Sequence, residues 1–91
     1  MGDEAKMSMI MCSELQPAEQ EKVARLDGPI SQKFTNAGCV VRVCQGRIDD
    51  ERRVLDFCGP TGTVVASVDA TEFLAASDTD AMAMITIGDA A

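Results

Sequence analysis

The spacing of the apolar residues changes at Cys39, and that change limits the fold more than any motif does. Before it, Val23, Leu26 and Ile30, and then Ile30, Phe34 and Ala37, recur at helical intervals. After it, Val41 and Val43 alternate with Val40, Arg42 and Cys44, and Leu55 and Phe57 share one side of the segment that follows. A helical front half and a strand-forming rear half predict an α+β domain.

Local signals place the elements. Residues 7–11 alternate weakly and are read as a short strand. Pro17 suits the first position of a helix, where its missing N–H costs nothing, and Glu19 and Glu21 favour the positive end. Gly28-Pro29 is expected to end that helix and open a second, closed by Asn36-Ala37-Gly38. A three-residue tip, Asp49-Asp50-Glu51, pairs Val43 with Phe57 and Gln45 with Leu55, so both apolar sets share a face. The turn Gly59-Pro60-Thr61-Gly62 then pairs Phe57 with Val64 and Leu55 with Ala66. Asp69 and Glu72 form a capping signature for a helix over residues 70–76.

Residues 81–88 are uncharged and rich in β-formers, and are read as a closing strand. The expected order is β-α-α-β-β-β-α-β: an antiparallel three-stranded meander plus N- and C-terminal strands, with short helices packed on one face. Residues 1–91 form a single small domain in this reading, with residues 1–6 a disordered or non-native leader.

Charge narrows the partners. The 91 residues carry a formal net charge of −7. Residues 1–27 contribute −3, residues 28–58 contribute +1, and residues 59–91 contribute −5 with no base at all. A phosphate backbone needs a clustered basic surface, so no nucleic-acid partner is expected. Arg52 and Arg53 adjoin Asp49, Asp50 and Glu51, which cancel their field. The longest apolar stretch near the start is too short for a signal core or a membrane span. A cytoplasmic protein with no membrane partner is expected.

Few residues can carry chemistry. The absence of histidine removes the commonest general base and the paired nucleophiles built on it. No phosphate-binding loop or zinc-peptidase motif occurs. The four cysteines follow a spacing, Cys39-x4-Cys44-x13-Cys58 with Cys12 distant, that fits zinc poorly, so no metal or cofactor is expected. In the register above, Cys44 and Cys58 lie on the non-core face with Arg42 opposite Cys58. That arrangement favours the thiolate and makes Cys58, Cys44 and Arg42 a candidate reactive set. The diagonal separation of Cys44 and Cys58 is too wide for a disulfide. Asp49-Asp50-Glu51 and Asp78-x-Asp80 lack the remaining ligands of a calcium loop and are read as solvated tips and caps.

The closing run supplies the functional expectation. An uncharged edge strand bearing Met82, Met84, Ile85 and Ile87 must be covered or paired. The chain is therefore expected to be a non-enzymatic interaction domain that forms a homodimer through these residues. A small-ligand domain, with a pocket between helices and sheet, is the alternative. A thiol sensor or enzyme using Cys58 is the third reading, and another protein could replace the second copy as partner.

Overall fold

Pro17 does open the first helix, and the chain before it makes the first strand of a four-stranded sheet. The computed structural model describes residues 10–87. In chain order they form β1 (Met11–Ser13), α1 (Pro17–Arg25), α2 (Asp27–Asn36), β2 (Val43–Asp49), β3 (Arg52–Cys58), β4 (Val64–Asp69), α3 (Ala70–Ala75) and α4 (Asp78–Met84). The sheet runs β1-β2-β3-β4. This is an α+β chain, but the sheet is mixed. β2, β3 and β4 form the antiparallel meander, and β1 joins it parallel to β2. A parallel neighbour requires a crossover, and α1 and α2 supply it. The expected leader, residues 1–6, lies outside the described residues, as does most of the strand expected over 7–11.

All four helices contribute to one core on one face of the sheet. Val23 of α1, Ile30 and Phe34 of α2, Phe73 of α3 and Ala81 of α4 cluster with Cys44, Leu55, Phe57, Ala66 and Val68. Phe34 and Phe57 meet with ring centroids 5.7 Å apart, joining helix layer to sheet. Short helices on one face are therefore found as expected.

Four expectations need correction. The first helix ends at Leu26 rather than at Gly28-Pro29, which fall in the first turn of α2. Proline is tolerated there because the first turn has no N–H to give back to the helix.

The β2–β3 hairpin closes with two residues, not three. Asp49 pairs with Arg52, and Asp50 and Glu51 take φ of 55° and 67°. Two left-handed residues match the twist of the flanking strands, which stabilises a loop the composition does not announce. The register consequently sets Val43 against Cys58, Cys44 against Phe57 and Gly46 against Leu55.

At the next turn the strands slide by two. Leu55 pairs with Val68 and Phe57 with Ala66, with a bulge where Cys58 meets Val64. The loop accommodates this because Gly59 N–H donates to the Thr63 carbonyl and Gly62 takes φ of 88°. The even slide keeps Ala66 on the core face and brings Val68 opposite Leu55, while the bulge sets Val64 against Cys58 on the other side.

The closing strand is a helix. Ser77 caps α4 by accepting from the Asp80 N–H at 3.1 Å, and Ile85–Ile87 follow without strand pairing. Alternation of Ala and Met suggests period two, whereas Ala81 and Ile85, four apart, share the buried side of a helical turn.

Candidate functional site

The two-residue hairpin moves one of the candidate thiols, Cys44, from the outer face to the core. Cys44 lies on the core face and is fully buried, where desolvation, with added repulsion from Cys12, Cys58, Asp56 and Glu19, pushes its pKa far above the usual thiol range. Cys58 remains on the opposite face beside Val43, yet it is buried. Burial raises its pKa, and the Asp56 carboxylate raises it further. Arg42 does not face it as a charge partner. The contact between them is a backbone one, Arg42 N–H donating to the Cys58 carbonyl at 2.8 Å. Cys58, Cys44 and Arg42 are thus brought into one neighbourhood without the thiolate-favouring geometry. The accessible thiols are Cys12 and the half-buried Cys39, and all four are free. Among the described residues no group of three or more His, Cys, Asp or Glu side chains is placed to hold a metal ion.

The residues expected at an interface lie on and after α4. Ile85 is 1% exposed within the chain's own core, and Met82, Met84 and Ile87 pack against that core. Their apolarity is satisfied largely within the molecule, so the argument from an uncovered strand at 81–88 no longer holds.

Two polar groups fix the helix layer, and neither is prominent in the sequence. Glu19 is 1% exposed and accepts from the Arg53 guanidinium and from the Gln16 N–H. Burial acts to raise its pKa, and the Arg53 and Gln16 hydrogen bonds together with the Arg53 charge outweigh it, leaving the carboxyl below the ordinary glutamate range. Lys22 donates to the carbonyls of Leu74 and Ala76 at the end of α3, with its ammonium 5.6 Å from the Phe73 ring centroid. These groups are fully engaged and serve the fold.

The other face of the sheet carries what remains. On β2, Val43, Gln45, Arg47 and Asp49 point to this side, facing Arg52, Val54, Asp56 and Cys58 of β3 and Val64, Ser67 and Asp69 of β4. Asp56, buried in the central strand, accepts from Arg47 Nε at 2.5 Å and from Ser67 Oγ at 2.6 Å. Arg52 lies 3.6 Å from Asp69 and Arg47 3.8 Å from Asp49. Arg47, Asp49, Arg52, Val54, Ser67 and Asp69 border a shallow cleft here. A second cleft of about 340 Å³ lies between Met11, Arg42, Val43, Gly59 and Pro60. Both clefts open on the helix-free side. Met11 is 70% exposed and Val64 49% exposed.

Charges on this face balance: Arg42, Arg47 and Arg52 stand with Asp49, Asp56 and Asp69, in a chain whose net charge is −7. The sequence showed the individual residues of this face. It did not show Asp56 as their common partner, because that depends on the register. Among the described residues no helix is long and apolar enough to cross a membrane. Compared with family models, with curated proteins and with solved structures, the chain matches none.

Proposed function

We propose that this chain is a non-enzymatic interaction domain that works by associating with a second copy of itself. One observation carries the reading. All four helices contribute to one core on one face of a four-stranded sheet, and the helix-free side exposes Met11 and Val64 beside a charge-balanced band. Large exposed apolar residues next to a region of mixed, cancelling charge fit a contact between identical acidic molecules better than contact with a strongly charged partner. Sedimentation velocity between about 5 and 500 µM tests the reading. A concentration-dependent rise from monomer to dimer is expected, and a monomer throughout the range defeats it.

The second cleft favours one other reading. Arg42 makes no ion pair among the described residues and borders the apolar surface of Met11, Val43 and Pro60. A small ligand with a carboxylate and an apolar body fits that combination. Chemical-shift changes confined to these residues on titration with a short-chain fatty acid would bring this reading forward. Unchanged spectra at millimolar ligand would remove it.

A further inference from the structure

We infer that two copies join along the free edge of β4, paired antiparallel about a two-fold axis perpendicular to the sheet. The inference rests on the self-association reading above and names its contact. β4 ends the sheet, with β3 on one side and no strand among the described residues on the other. The outer backbone N–H and C=O groups of an edge strand must be met by water or by another chain. Proteins usually blunt such an edge with a charge, a proline or a bulge. β4 carries its bulge at its first residues and its one charge, Asp69, at its last, and residues 64–68 lie within the longest uncharged run of the chain, residues 57–68. The opposite edge, β1, is only three residues long and offers little to pair.

Charge decides both the partner and the direction. Residues 59–91 hold five acids and no base, so two copies repel unless they meet where charge is absent. The β4 edge meets that condition. In a parallel pairing Asp69 would face Asp69 of the other copy. In an antiparallel pairing centred on Val65 or Ala66, Asp69 falls opposite Thr61 or Thr63, both uncharged. Opposed residues then share a face, so Ala66 and Val68 of both copies lie on the helix side. The helices of the pair stay on one side, and the two helix-free faces run together across eight strands. The edge of a six-residue strand is a small contact, which places association in the weak, micromolar class.

Three variants that each add one carboxylate test the contact by sedimentation. Thr63→Glu and Val64→Glu alter exposed side chains at the edge, and Thr35→Glu alters an exposed side chain on α2, off the edge. The two edge variants are expected to weaken dimerisation at least tenfold and Thr35→Glu less than twofold, with circular dichroism reporting the fold of each. Hydrogen exchange of the unmodified chain provides a second readout: β4 amides slow as concentration rises, and β1 amides do not. If the protein dimerises and the edge variants do not weaken it, the edge contact is wrong and self-association stands. A wild-type monomer at all concentrations overturns both.

Discussion

Arg53 of β3 and Glu19 of α1 tie the helix layer to the sheet, with Arg53 Nε 3.1 Å from Glu19 Oε2 and its Nη2 also donating to the Glu14 carbonyl at 3.2 Å. Glu14 itself takes φ of 60°, so the guanidinium holds a left-handed residue at the start of the crossover. Three parts of the chain, the β1–α1 connection, the first turn of α1 and the central strand, therefore meet at one side chain.

Arg53→Met should cost about 3 kcal/mol at pH 7, because it leaves the buried Glu19 carboxylate without its charge partner. The pH dependence has a fixed sign. The Glu19 pKa lies below its ordinary value of 4.5, so the pair stabilises the fold above that value and loses its contribution as pH falls through the folded pKa. In the variant only the Gln16 N–H opposes burial, so the pKa is higher than in the wild type, and mild acid protonates Glu19 and relieves the stranded charge. Urea unfolding at pH 7 and pH 4 should show the gap between wild type and variant narrowing at pH 4. A gap of constant size would show that Glu19 is not the group responsible.

Gly46 faces this pair from β2. A Cβ there would lie 2.6 Å from Arg53 Nη2 and 2.6 Å from the Glu14 carbonyl oxygen. The guanidinium can move, but the carbonyl belongs to a backbone already held in place. Gly46→Ala is expected to destabilise by about 1–3 kcal/mol, as overpacking typically does. Denaturation midpoints at constant m-value would report it, and an unchanged midpoint would show that the β1–α1 connection yields freely.

The thiols should react in an order set by access and burial. With limiting iodoacetamide near neutral pH, Cys39 is expected first and Cys12 next, with Cys44 last. Cys12 is slowed because partial burial and then the Asp27 charge raise its pKa. Peptide mass spectrometry of the alkylated chain gives the order. Early labelling of Cys44 would contradict the two-residue hairpin, since that register is what turns Cys44 into the core.

Ile85→Lys should unfold the chain rather than dissociate a folded dimer. The side chain lies in the core with Phe34, Phe73 and Ala81, and an unpaired ammonium there has no partner. Loss of the cooperative thermal transition is expected. A folded monomer would instead mean that Ile85 faces a second copy.

Part of this architecture is local, and the sequence by itself determined it. Pro17 with acids behind it marks a helix start, and Asp69 caps α3 by accepting from the Glu72 N–H at 3.0 Å. The span of β3 and its core pair Leu55 and Phe57 follow from alternation. Such features are legible because each involves residues within a few positions of one another.

What only the tertiary structure decided depends on distant partners. Val41 is buried and Val43 is turned to the helix-free side, because the core face of β2 is taken by Cys44 and by Gly46, whose missing side chain makes room for Arg53 and Leu15. The alternation of valines pointed the other way, and packing overrode it. Residues 81–84 became helix because Ser77 could cap a turn and Ala81 and Ile85 could enter a core built by α2 and α3. Glu19, Arg53 and Asp56 acquired their roles the same way. A buried charge is stable only beside a specific partner, and the chain brings those partners from 34, 9 and 11 residues away.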